Sequence, residues 1–427
     1  MKLLLKNIQI VNPAQSLNQR KDILISNGTI AEIGQIDEKG CDQVIEGNSL
    51  ICAPGLFDMH VHLREPGRED EETVQTGCNS AAAGGFTGVA CMPNTSPAID
   101  NAEVVSSILE KAKNHLVEVI PIGAVSVGRE GESLAPIAEL YTAGARAFSD
   151  DGVAVKSASL LRNALEYLQM YNAPVIEHCE DESLADGAMN ESEVSTLLGL
   201  PSVPSVAEDL IVMRDILMAE YTGGKVHIAH ISSKRAVEIV REAKAKGINV
   251  TAEVTPHHFT LTDDSLKSYD TNFKMNPPLR KAADVEAIIE GLIDGTIDCI
   301  ASDHAPHSIE EKEMEFIYAP NGILGLETEL GLALSELVHK NRLTIEQLIE
   351  KLAINPRKIL NIPVPKIEKG VEANLSIFDP DLVWTVEVSK FKSKSRNSPF
   401  NNRLLTGKSV AVINKGKLYY QNQYHSL

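Results

Sequence analysis

Between residues 56 and 304 the hydrophobic rhythm of the chain switches repeatedly, from short apolar runs of strand length to longer stretches with helical spacing. The strand-like runs fall near 56–62, 87–93, 118–126, 146–151, 174–180, 225–232, 249–256 and 297–304. Helix-like stretches lie between them, among them Leu160 to Tyr171, Ala207 to Tyr221, Ser233 to Lys246 and Ala283 to Asp294. Eight strand–helix units in succession match the order of a (β/α)8 TIM-type barrel, an α/β fold. A doubly wound open sheet is the alternative, but the first strand–helix turn lacks the Gly-X-Gly-X-X-Gly spacing. Gly84, Gly85 and Gly88 follow a helix and precede a strand, so they read as a helix stop and a tight turn.

The two ends have a different character. Lys21 to Ser26 and Thr29 to Ile33 flank Asn27-Gly28, a hairpin pattern, and the N-terminal Met-Lys-Leu-Leu-Leu-Lys reads as a first strand and not a signal peptide. Ala373 to Phe378 alternates, and Val410 to Ile413 with Lys417 to Tyr420 brackets Asn414-Lys415-Gly416. We therefore expect a small β domain from residues 1–55 and 365–427, with the barrel at 56–364.

Apolar content of 43% and charged content of 23% are those of a soluble globular protein, and no apolar run is long enough to span a membrane. Six scattered cysteines form no Cys-X-X-Cys pair, which argues against a disulfide framework and for free thiols in the cytoplasm. The net charge of −19 disfavours nucleic acid and anionic membrane as partners. A small anionic substrate stays open, because a local cation can dominate a pocket.

Reactive groups of a barrel sit where its strands end. Asp58-Met59-His60-Val61-His62 closes the first strand, and strict alternation would put Asp58, His60 and His62 on one face. Two imidazoles so placed can reach a single metal ion, and imidazole suits zinc. Later strand ends carry Asp150-Asp151, His178, His230 and Asp303. Four imidazoles and two carboxylates suffice for two zinc ions if one carboxylate bridges, and two-metal sites activate water. A bland reading needs six polar residues to reach successive strand ends independently.

Asp58 to Gly67 (Asp-X-His-X-His-Leu-Arg-Glu-Pro-Gly) resembles the opening motif of dihydroorotases in the amidohydrolase superfamily. Met92-Pro93-Asn94-Thr95, Asp150-Asp151-Gly152, Glu177 to Glu180, Thr255 to His258, Met275 to Arg280 and Ser302 to His307 are similar to motifs of its bacterial class I form. The resemblance implies reversible closure of N-carbamoyl-L-aspartate to L-dihydroorotate in pyrimidine synthesis, with two zinc ions per subunit. It implies that His60, His62 and Asp303 hold one ion, His178 and His230 the other, and that Asp151 bridges them. Relatives such as hydantoinases bridge with a carboxylated lysine, whereas the fourth strand here ends Ser149-Asp150-Asp151 and Lys156 lies beyond the glycine turn.

On this reading Asp303 shuttles the proton. Arg64, Asn94 and His307 suit the substrate carboxylate, and Arg offers it a planar two-pronged match. The resemblance adds His62, Asn276, Asn321 and Gly322 as substrate contacts. A homodimer, and association with an aspartate carbamoyltransferase, complete the expectation. His257, His258 and His304 are read as structural, His227 as packing against a helix, Cys179 as core, and Ser308 to Phe316 as a charged loop, a solvated surface with a lid over the site as the alternative. The competing readings are a hydantoinase-like cyclic amidase, which would want the lysine, and a non-catalytic partner, which would be expected to lose ligands.

Overall fold

The computed structural model describes residues 1–427. Eight parallel strands form the barrel: β1 (Leu56–Val61), β2 (Phe86–Cys91), β3 (Glu118–Pro121, continuing after a break at Ile122 through Gly123–Ala124), β4 (Phe148–Ser149), β5 (Val175–Glu177), β6 (Val226–Ile228), β7 (Val250–Val254) and β8 (Cys299–Ile300). Closure comes from a parallel bridge between Val61 and His304, with His62 N donating to His304 O at 2.8 Å. Helices return between strands, among them Ala158–Leu168, Val206–Thr222, Lys234–Ala245 and Ala282–Asp294. Ser157 and Ser233 cap two of them by accepting the Leu160 and Ala236 amides. Gly85, at φ 103°, ends the first helix (Val74–Gly84) in a conformation that favours glycine.

Both chain ends form one sheet. From edge to edge it runs Gln423–Ser426, Lys417–Tyr420, Leu404–Asn414, Leu375–Thr385, Ile51–Pro54, Lys2–Asn12, Leu17–Ser26 and Thr29–Gly34, and Gln43–Glu46 also pairs with Lys2–Asn12. Its own core includes Leu3, Leu5, Ile23, Ile25, Leu375, Ile413 and Leu418. Asn27-Gly28 and Lys415-Gly416 both have positive φ at each residue, as tight hairpin turns require. Between the two long C-terminal strands, residues 386–403 leave the sheet. There Val388, Phe391 and Phe400 pack with Met275, Leu279 and Ile323 at the barrel rim.

The barrel interior holds Phe57, Met59, Ala90, Ile120, Ile122, Ala147, Ile176, Ala229 and Cys299. Alternation therefore fails in β1. Its pairing with β2 is irregular on both sides of Asp58, and this bulge lets His60 and His62 follow Phe57 and Met59 inward. Asp58 does not share their face. It accepts the Ser302 and His60 amides and interacts with Glu329, tying β1 to β8.

His227 also departs from expectation. It lies in the barrel interior, its Nδ1 2.8 Å from Thr251 Oγ1 and its Nε2 3.3 Å from Glu253, and does not pack against a helix. Residues 227 and 229 share the inward face of β6, and His230 reaches the site because its φ of 32° turns the chain as the strand ends. No helix is long and apolar enough to cross a membrane. All six cysteines are free, and Cys179 is buried.

Candidate active site and metal centre

The strand ends converge on a cleft of about 210 Å³ lined by His62, Arg64, Asn94, Asp151, Gly152, His178, His230, Asn276, Asp303, Ala305, His307, Asn321 and Gly322. Only Ala305 among these is apolar, so the cleft is built for a polar molecule. His60 lies directly beneath it, fully buried.

Asp151 stands at the centre of the nitrogen and oxygen donors. Its Oδ1 is 3.5 Å from His60 Nε2, 3.8 Å from His230 Nε2 and 4.0 Å from His178 Nδ1, and its Oδ2 is 3.5 Å from His62 Nε2. Asp303 Oδ1 sits 3.0 Å from His62 Nε2 and 3.6 Å from His60 Nε2, and His178 Nδ1 lies 3.0 Å from His230 Nε2. Neighbouring donors of a tetrahedral zinc site, with bonds of about 2.0–2.1 Å, stand about 3.3 Å apart. His60 Nε2 and Asp151 Oδ1 are buried and face each other without a hydrogen-bond partner. A divalent cation would satisfy both, so the donor set fits metal.

Burial pushes the Asp151 and Asp303 carboxyls up, but the surrounding histidines outweigh it and hold both below the usual carboxylate range. Both are therefore ionised donors. Asp150 turns away and accepts the Val125 amide (3.0 Å), the Ser126 amide (3.0 Å) and the Ser126 hydroxyl (2.6 Å). Lys156 is exposed.

The neighbours of these donors orient them. Glu253 in β7 places Oε1 2.5 Å from His60 Nδ1, which aims the opposite nitrogen at Asp151. Burial raises the Glu253 carboxyl, yet His60 and His227 bring it down to about 2. His62 Nδ1 lies 2.7 Å from Asn94 Oδ1, so the Asn94 amide nitrogen remains available to the cleft. Asn276 Nδ2 donates to Glu180 at 2.9 Å.

Arg64, at φ 58°, donates through Nε to Pro306 O (3.0 Å) and lies 3.0 Å from Glu71, whose other oxygen is 3.1 Å from His307 Nδ1. His307 Nε2 lies 2.7 Å from Asn321 O and 3.3 Å from Arg64 Nη2. Three residues of the site, Arg64, His230 and Asp303, thus hold left-handed backbone, strain of the kind that clusters where side chains must be aimed.

The chain matches the model of the dihydro-orotase-like family over residues 49–236. It is 50% identical over 424 residues to a dihydroorotase of Pelotomaculum thermopropionicum, covering 99% of both chains. The chain belongs to the dihydroorotase family. A second member, from Syntrophus aciditrophicus, is 47% identical over 427 residues, 99% of this chain and all of that one. Among solved structures, an L-hydantoinase (dihydropyrimidinase) from Arthrobacter aurescens superposes with a TM-score of 0.86 at 26% identity, over 100% of this chain and 97% of that one. A dihydropyrimidinase from Brevibacillus agri matches in fold alone, with a TM-score of 0.86 at 22% identity over 100% and 96% of the two chains.

Sequence reading missed Glu71, Glu253 and Asn397 at this family site. A lone Glu253 between Ala252 and Val254 was a legible clue, being an acid in an apolar strand. Asn397 gave none. It comes from the C-terminal arm, donates to Ala305 O (2.9 Å) and Gly322 O (3.1 Å), and accepts the His307 amide (3.1 Å). Ser308 to Phe316 is also not simply solvated. Glu310, Glu313 and Glu315 are exposed, but Lys312 and Phe316 turn inward.

Proposed function

We propose that this protein is a zinc enzyme of the bacterial class I type that interconverts L-dihydroorotate and N-carbamoyl-L-aspartate in pyrimidine synthesis. The observation that carries the reading is the meeting of the six-donor set with Arg64, Asn94 and His307 in one polar cleft. His60, His62 and Asp303, which form one donor cluster, would hold one ion, and His178 and His230, 3.0 Å apart beside Asp151, would hold the other. Zinc, when bound, polarises the ring carbonyl and makes water a stronger nucleophile at neutral pH.

Arg64, Asn94 and His307 grip the substrate carboxylate, and Asn276 with the Asn321-Gly322 edge contacts the ring. Asp303 directs Oδ1 at His62, which leaves Oδ2 to take a proton from the attacking water. As the ring C–N bond breaks, the same oxygen passes that proton to the departing nitrogen. Closure runs these steps in reverse.

A hydantoinase-like reading is disfavoured because no lysine stands at the end of β4 and Lys156 is exposed. A non-catalytic partner is disfavoured because all six donors converge. The reading includes a cytoplasmic homodimer that can associate with an aspartate carbamoyltransferase. Val206, Leu210, Met213 and Leu217 support the dimer, since they form an exposed apolar stripe along one helix.

Zinc content per chain, measured with turnover of dihydroorotate, tests the whole. We expect two zinc ions, full activity on reconstitution of apoenzyme without bicarbonate, and loss of at least one ion in Asp151→Ala. Bicarbonate-dependent reconstitution, or full zinc retention in that variant, would refute the Asp151 bridge.

The reaction also fixes a pH trend. Carbamoyl aspartate carries one carboxylate more than dihydroorotate, so closure consumes a proton. The equilibrium should favour the ring about tenfold more per unit fall in pH, well above the carboxylate range. Initial rates in both directions between about pH 6 and 9 should diverge accordingly. Parallel profiles would contradict it.

A further inference from the structure

The loop after β8 has an internal support that the chemistry above does not use. Lys274 and Lys312 are only 5% and 7% exposed, and their ammonium groups are held by main-chain carbonyls. Lys274 Nζ donates to Ile317 O at 2.8 Å and Ala319 O at 2.7 Å. Lys312 Nζ donates to Pro320 O (2.8 Å), Thr271 O (3.0 Å) and Lys274 O (3.4 Å). Three acceptors match the three N–H bonds of an ammonium, one more than a neutral amine could supply.

Burying such a group is unfavourable unless its donors are met. Two ammonium groups in one loop base tie down Ile317, Ala319 and Pro320.

Those residues lead straight into the cleft. Pro320 is followed by Asn321 and Gly322, which line it. Gly322 N donates to Lys274 O at 3.0 Å, and its φ of 132° suits glycine. On the far side Asn397 Nδ2 donates to Gly322 O at 3.1 Å. The carbonyls of residues 317, 319, 320 and 322 are all engaged, so the segment has few ways to swing.

We propose that Lys274 and Lys312 are positioning residues that hold 317–322 as a fixed wall of the substrate pocket, setting substrate affinity without lid closure. The inference rests on assigning Asn321 and Gly322 to the substrate ring. Wild-type turnover of dihydroorotate is the control that separates failure of that assignment from failure of the wall.

Lys312→Met keeps the aliphatic stem and removes the donors. KM for dihydroorotate should rise about tenfold or more, with kcat within about threefold and zinc content unchanged. Lys312→Arg, which keeps charge and donors, should recover part of the loss. An unchanged KM in folded Lys312→Met overturns the proposal.

Should the variant not fold, the wild-type enzyme still decides. Amide exchange across 313–322, with and without saturating dihydroorotate, should agree within about twofold for a fixed wall. Protection of about tenfold or more on adding dihydroorotate would identify a closing lid and overturn the proposal.

Discussion

Replacing Asp303 by Asn should lower dihydroorotate turnover by about 10²–10⁴-fold or more, the usual contribution of a positioned acid–base group. The substitution keeps size and a carbonyl oxygen toward His62, 3.0 Å away, so the fold should survive. It removes the second basic oxygen, which is the one available to the proton. The histidines around Asp303 hold its carboxyl ionised, so the wild-type group is ready to accept throughout the neutral range. Zinc content measured on the same sample separates loss of a base from loss of metal. Near-normal turnover in Asp303→Asn would remove this residue from the chemistry.

Arg64→Ala should have the next largest effect, and a selective one. Truncating one partner of a desolvated charge pair typically costs about 2–5 kcal/mol, or about 30-fold to several thousandfold in binding. Glu71 would not be stranded by the change, because Arg68 lies 3.0 Å and His307 3.1 Å from its Oε1. The fold should therefore tolerate it. The loss should fall on dihydroorotate and spare dihydrouracil, the same ring without its carboxylate. Comparable losses in kcat/KM for the two rings would mean that Arg64 does not read the carboxylate.

Much of this was legible before any coordinates. Eight strand-like runs, the Asn27-Gly28 and Lys415-Gly416 turns, and the His and Asp residues closing β1, β4, β5, β6 and β8 are all local patterns. Periodicity and turn chemistry are written within a few residues of one another, and a barrel brings its strand ends together whatever the loops do. An acidic residue at the end of β4 could likewise be weighed against a lysine without a structure.

Other features depended on closure of the barrel. Glu253 meets His60 across 193 residues, and Asn397 reaches Ala305 across 92. No window of sequence contains either pair. The bulge in β1 and the left-handed turn at His230 overrode strict alternation, because aiming an imidazole at the barrel axis matters more there than ladder regularity. Lys274 and Lys312 look like surface charges by composition alone. By itself the sequence determined the order of the elements and marked the side chains to which the chemistry is here assigned. Only the tertiary structure decided which buried groups aim them, since desolvation and hydrogen-bond geometry exist only once distant segments are packed together.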